Sequence, residues 1–296
     1  MKAGVILALA ALSLAAQPRL LTNAKVDTRS AAAGLDAEFR SLLAAEPQPA
    51  WIGWTVPSVR SYGLGCEYVG HDGWSAPGVI HLEPPDHAVI LFRVVNHSVE
   101  RIRALSPDCE IDAGGVPVHW LNDVKPPDSV ALLASFAVDS EIPSNGAIGA
   151  IAMHDDAAAD SVLDRFAAAG QPEELRRRTI GWLGSVRGRH GLETLRSLLA
   201  SDATSAVRAR VVSALARSKE PDALSLLIAT ARNDRDQQVQ RRAISALGNL
   251  RAGKGVPVLI EIAQSSKIPE MRKHAMNALQ QTHDPRALAF FEQVLQ

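Results

Sequence analysis

Arginine recurs in this chain at a fixed interval. Four segments begin 32 residues apart: LRRRTIGWLGSV at Leu175, VRARVVSALARS at Val207, VQRRAISALGNL at Val239 and MRKHAMNALQQT at Met271. One residue after each start come Arg176, Arg208, Gln240 and Arg272. Two after come Arg177, Ala209, Arg241 and Lys273, and three after come Arg178, Arg210, Arg242 and His274. Guanidinium groups in a row can grip carboxylates or phosphates in bidentate fashion. They can equally form an internal ladder with acidic residues of their own or the neighbouring unit. The Arg178 row is read here as the ladder. The other two rows supply candidate partner contacts: Arg176, Arg177, Arg208, Arg241, Arg272 and Lys273. Their sign calls for an acidic partner. Residues 1–173 hold 11 basic and 21 acidic residues, whereas residues 174–296 hold 20 and 11. The near-neutral total therefore hides an acidic half joined to a basic one. Basic surface alone would admit nucleic acid, but no aromatic residues interleave with it for base stacking. A protein or peptide is the expected partner, and the acidic half could itself dock there.

The elements that hold these arginines are helices. Five positions after each start come Ile180, Val212, Ile244 and Met276, and eight after come Leu183, Leu215, Leu247 and Leu279. That spacing is one buried helical face. A second helix follows in each unit, with Leu192, Leu224, Val256 and Leu288 at its first core position. Pro221 and Pro285 share one slot of the punctuation between helices, and Gly191 and Gly255 share another. A weaker copy lies upstream, with Ile148 and Ile151 in the first helix and Leu163 and Phe166 in the second. The array is thus expected to begin near Pro143 and to hold about five helix pairs. No pair can bury its apolar face alone, so the pairs must stack into a right-handed α-solenoid.

VRARVVSALA and VQRRAISALG, preceded by Asp202 and by Asp234 and Asp236, resemble HEAT-type repeats in the short form grouped with phycobilisome-lyase-like proteins. SPDCEIDAGGVPVHWLNDV has the look of secreted bacterial proteins carrying such repeats. The resemblance covers about half the chain and implies a fold more than an activity. It implies that the Val-Arg helices line the concave face. It also implies an Asp-to-Arg ladder from Asp202 to Arg208 or Arg210, and from Asp234 or Asp236 to Arg241 or Arg242. The repeated His-Glu dipeptides of HEAT-type di-iron hydroxylases do not occur in this chain.

Residues 1–16 read as a signal peptide: Lys2, then the apolar run GVILALAALSLAA, with Ser13 and Ala15 at the positions a signal peptidase reads. A periplasmic or secreted protein is expected. Residues 17–142 read as a small α+β domain with short antiparallel strands, and residues 143–296 as the solenoid. A helix is expected over 30–45 with Ser30 as its cap, and strands at Val79–Leu82, His87–Val95 and Val99–Leu105. Cys66 and Cys109 are candidates for a disulfide in an oxidising compartment. Trp51, Trp54, Trp74 and Trp120 are read first as core. They raise the alternative function, an enzyme or small-ligand receptor in this domain, with His119, Asp123 and Asp72 nearby in sequence. Zinc is disfavoured, because Cys66, His71, Cys109 and His119 contain no CxxC or HxxxH element. GWSAPG lacks the second glycine of a nucleophile elbow, and RAGKGV lacks phosphate-loop spacing. No catalytic residue, metal or cofactor is assigned. The primary reading is an extracytoplasmic interaction scaffold.

Overall fold

A computed structural model describes residues 21–45, 49–59, 66, 86–138, 145–202 and 204–295. The signal segment, Val79–Leu82, Trp74 and the boundary near residue 142 lie outside the described residues.

The N-terminal part contains β1 (Leu21–Thr22), β2 (Lys25–Ser30), α1 (Leu35–Ala45), β3 (Ala50–Pro57), β4 (His87–Val95), β5 (Ser98–Leu105), β6 (Ile111–Asp112), β7 (Pro117–Asn122) and α2 (Pro126–Ala137). β1 and β6 form a two-stranded parallel pair. The main sheet has the order β2-β7-β3-β4-β5. β3, β4 and β5 form an antiparallel meander that contains the expected β4–β5 hairpin, with Ile52 opposite Phe92 and Trp54 opposite Ile90. Asn96 and His97 turn the β4–β5 hairpin with φ of 49° and 61°, the left-handed pair that a two-residue loop requires. The other edge differs from expectation, because β7 runs parallel to both β2 and β3. Ser30 consequently ends β2 instead of capping a helix. Its hydroxyl donates to Asp123 at 2.7 Å, and α1 begins only at Leu35.

HAVILFRVV in β4 is almost continuously apolar because the sheet is covered on both faces. On one side Phe39 and Phe136 pack edge-on to Phe92, and Trp54 stacks on Phe92 at 5.2 Å. On the other side Val89, Leu91, Leu105 and Trp120 surround Cys109. Cys109 is joined to Cys66 by a disulfide, with Cα atoms 5.0 Å apart.

Ten helices follow in five pairs among the described residues. They are α3 (Asn145–Met153) with α4 (Ala157–Ala167), α5 (Glu173–Val186) with α6 (Gly188–Ser201), α7 (Ser205–Leu215) with α8 (Ala223–Asn233), α9 (Gln237–Gly248) with α10 (Val256–Ser265), and α11 (Pro269–Gln281) with α12 (Pro285–Leu295). The first helices α5, α7, α9 and α11 pack directly on one another in sequence, whereas α6 meets α8 far less. One hydrophobic core runs from Ala31 under the sheet to Phe290. At the junction α3 lies on β5. Gly146 permits this, because a Cβ there would collide with the Ile102 carbonyl. Buried Arg187 closes the joint, with its guanidinium on Asp160 at 2.7 Å and on the carbonyls of Ala152 and His154.

Candidate partner-binding surface

The first helices α5, α7 and α9 bury their start position together with the fourth, fifth and eighth residues after it, as in Val207, Val211, Val212 and Leu215, and α11 differs only in its half-buried Met276. On a helix wheel the residue one position after the start falls within that buried arc, and the residue three positions after falls outside it, 200° further round. The two rows have different fates.

The row one residue on is interior. Arg176 and Arg208 are 7% and 2% exposed. Arg176 donates to the Ala167 carbonyl at 2.9 Å and pairs with Asp202. Arg208 donates to the Asp202 carbonyl at 3.0 Å and to both oxygens of Asp234 at 2.9 Å. Gln240 donates to the Asp234 carbonyl at 2.8 Å, and Arg272 to the Ser266 carbonyl at 2.7 Å. All four reach back to the C-terminal end of the preceding second helix, where carbonyls lack intrahelical donors and a cation is favoured. The two ion pairs then reach forward to the end of the next second helix. Burial opposes ionisation of Asp202 and Asp234. Hydrogen bonds from Arg176 and Arg208, and from the backbone N–H groups of Thr204 and Asp236, outweigh it and hold both carboxyls below the usual range.

This arrangement corrects two expectations. Arg176 and Arg208 are not available to a partner, because their charges are buried against aspartate. The ladder also runs from Arg176 to Asp202 and from Arg208 to Asp234, each at the end of the second helix of the same pair, and not from the Asp202 carboxylate to Arg208 or Arg210. The first turn of each first helix abuts the helix ends on either side of it, so its arginine spans two units.

The row three residues on faces outward. Arg178 and Arg177 share one carboxylate, Glu174, with Arg178 Nε at 2.6 Å. Hydrogen bonds from Arg177 and Arg178 draw Glu174 down to about 2. The next rungs use neutral acceptors. Arg210 Nε donates to the Arg177 carbonyl at 3.3 Å. Arg242 donates from Nε and Nη2 to Ser213 Oγ at 3.2 and 3.1 Å. Arg217 Nε donates to Ser185 Oγ at 3.3 Å. Among the described residues no carboxylate lies within salt-bridge distance of Arg210, Arg217 or Arg242. Burial, and then the charges of Arg177, Arg217 and Arg242, lower the pKa of Arg210. Of the remaining sequence candidates, Arg177 and Lys273 are exposed and Arg241 is half-buried. Sequence reasoning assigned the Arg178 row to the ladder and so passed over Arg210 and Arg242. Ser213, one unit upstream, is the signal that could have found Arg242, whereas Arg210 rests on a backbone carbonyl that no residue type marks.

A family model described as HEAT repeats matches residues 159–240 and 225–296. The C-terminal part of this chain is an array of HEAT repeats. Among solved structures the chain is similar to the complex of CpcE and CpcF of phycocyanin lyase from Nostoc sp. PCC7120, with 22% identity over 47% of this chain and 90% of that chain and a TM-score of 0.36. No curated protein matches.

Ahead of the HEAT array, the tryptophan-rich sheet is mainly core. Trp54 and Trp120 are 0% and 1% exposed. Trp51 and Trp120 line a hollow of about 80 Å³ with Leu91, Arg103 and Asp112, well below the ~300 Å³ of ordinary ligand pockets. His119 lies 3.3 Å from Asp27, and Asp123 is engaged by Ser30. One polar chain escaped the sequence reading. His154 Nε2 stands 2.9 Å from Ser129 Oγ, which accepts a hydrogen bond from Trp54 Nε1 at 2.9 Å. His154 Nδ1 lies 2.8 Å from the Ala150 carbonyl, which fixes the proton there. A serine beside a histidine suggests nucleophilic chemistry, but both are fully buried and every polar atom is satisfied. Burial pushes the imidazole down to about 4. The chain Trp54–Ser129–His154 is an internal strut joining β3, α2 and α3.

Proposed function

We propose that this protein is an extracytoplasmic scaffold that binds an acidic protein or peptide through the first-helix surface of its HEAT array. The observation that carries this reading is the outer flank, where Arg210, Arg217 and Arg242 are held in place by neutral oxygens. A guanidinium held this way keeps its full charge for an external anion. The apolar leader GVILALAALSLAA and the Cys66–Cys109 bridge support placement outside the reducing cytosol. Among the described residues no helix is long and apolar enough to cross a membrane.

Site-specific photo-crosslinking in the native host tests the surface. A photoreactive residue replacing exposed Ser245 on α9 should give a discrete crosslinked protein. One replacing exposed Ser225 on α8 should not. Equal yields, or none from α9, would remove the first-helix surface as the docking face. Fractionation of the same cells tests location, and a cytosolic chain still beginning at Met1 would overturn it.

A further inference from the structure

The two flanks of the HEAT helices differ in one chemical respect. Inward Arg176 and Arg208 end on carboxylates of the chain, whereas Arg210, Arg217 and Arg242 end on a carbonyl or a serine hydroxyl. Among the described residues the terminal nitrogens of Arg210 and Arg217 make no hydrogen bond. Arg177 and Arg178 already bind Glu174, the carboxylate whose charge also reaches Arg210. Like charges in such a group oppose one another and weaken the fold. The arrangement is pre-positioned, incomplete and in want of anions.

We propose that Arg210, Arg217 and Arg242 form a carboxylate-binding site for an extended acidic segment that crosses α7 and α9, with acidic side chains three residues apart meeting successive rungs. This inference rests on the scaffold reading and names its contact site. The spacing follows from dimensions. Packed helices lie ~8–10 Å apart, and an extended chain advances ~3.3 Å per residue. Three residues therefore span one helix-to-helix step. Two carboxylates held in register give the site selectivity for pattern over total charge. Arg217 also lines the adjoining hollow of about 650 Å³ between the 216–221 and 249–254 loops, where Lys219, Arg251 and Lys254 outnumber the one lining carboxylate, Glu220. The positive surface thus continues beyond the rungs and gives the segment a path off the helices.

Fluorescence anisotropy with labelled synthetic peptides tests this on the full chain. One peptide of about twelve residues carries Glu at every third position on a Gly/Ser/Ala background. Its isomer carries the same glutamates in one block. The wild type should bind the spaced peptide more tightly, and added salt should weaken binding. Arg210→Gln, Arg217→Gln and Arg242→Gln together should lower affinity about tenfold, the sum expected of three partly exposed charge contacts. Arg241→Gln with Lys273→Gln should change it less than about threefold on the same scale. The triple variant should melt no lower than the wild type, because repulsion has been relieved. Should it fail to fold, Arg210→Gln alone serves. Equal binding of wild type and triple variant overturns the site, as does indifference to peptide pattern. Complete competition by millimolar inorganic phosphate with no pattern preference also overturns it, in favour of a small-oxyanion site. A crosslink from Ser245 alongside a failed peptide test would remove this site and leave the scaffold. Loss of the crosslink would remove the scaffold.

Discussion

Replacing Arg208 by glutamine should unfold the HEAT array more readily, and replacing Asp234 by serine in the same chain should restore most of the loss. The Arg208–Asp234 pair is buried, with side chains 2% and 7% exposed. It has two hydrogen bonds at 2.9 Å, and a third runs from Arg208 to the Asp202 carbonyl. Removing Arg208 leaves the Asp234 carboxylate buried with, among the described residues, only the Asp236 N–H as a close donor, apart from the more distant charge of Arg235. Breaking such a pair costs about 3–5 kcal/mol. The next rung of the array shows what a neutral version looks like. Gln240 stands in the arginine slot and Ser266 in the aspartate slot, and Gln240 still donates to the Asp234 carbonyl at 2.8 Å. Arg208→Gln with Asp234→Ser copies that rung. It should cost about 1–2 kcal/mol, since it leaves no charge unpaired and keeps a neutral hydrogen bond. The second substitution should then recover about 2–3 kcal/mol of the loss. Thermal melts followed by circular dichroism at 222 nm read this out, at ~2–4 °C per kcal/mol for a chain of this size. The single variant should melt on the order of 10 °C below the wild type, and the double variant within a few degrees of it. A double variant as unstable as the single one, or a single variant within a degree of wild type, would refute the ladder.

Two further outcomes follow from buried groups. His154 is neutral in the fold, with a pKa lowered from about 6.5 to about 4. Its contribution is therefore present above pH 6.5 and is lost as pH falls from 6.5 towards 4. The full step is about 3 kcal/mol. Urea titrations at pH 7 and pH 4.5 should show most of it, and His154→Gln should flatten the dependence in that window. The lowered carboxyls of Glu174 and Asp284, near 2, act only at lower pH. The Cys66–Cys109 bridge closes a separation of 43 residues. Reduction should cost about 4 kcal/mol on the chain-entropy account. Mass spectrometry of unreduced protein treated with an alkylating reagent should show no added label, and two labels would overturn the pairing.

The repeat was legible because it is local. A 32-residue period with apolar residues at helical spacing fixes helix pairs wherever they stack, and the slot shared by Gly191 and Gly255 marks where each second helix begins. A Cβ there would collide with the carbonyl of Leu183 or Leu247. His87–Val95 was equally plain, being a β-branched run ended by a two-residue turn. The edge of the sheet was not. β2 pairs with β7 across some ninety residues, Lys25 against Pro117, and no local pattern records which distant strand will be a neighbour. That pairing also drew Ser30 out of the helix expected to start there.

The candidate site divides in the same way. The sequence alone determined that arginines would stand in rows on the first helices, because the period and the helical repeat place them there. It could not tell which row turns inward. Arginine suits either environment: its apolar stem packs and its planar head pairs. The choice was made by the stacking of α5, α7, α9 and α11. Stacking set the row of Arg176 and Arg208 against helix ends rich in unpaired carbonyls and left Arg210 beside a backbone carbonyl and Arg242 beside Ser213. The joining of Trp54, Ser129 and His154 from three segments was likewise decided only in three dimensions, since burial created the demand for hydrogen bonds that those side chains meet.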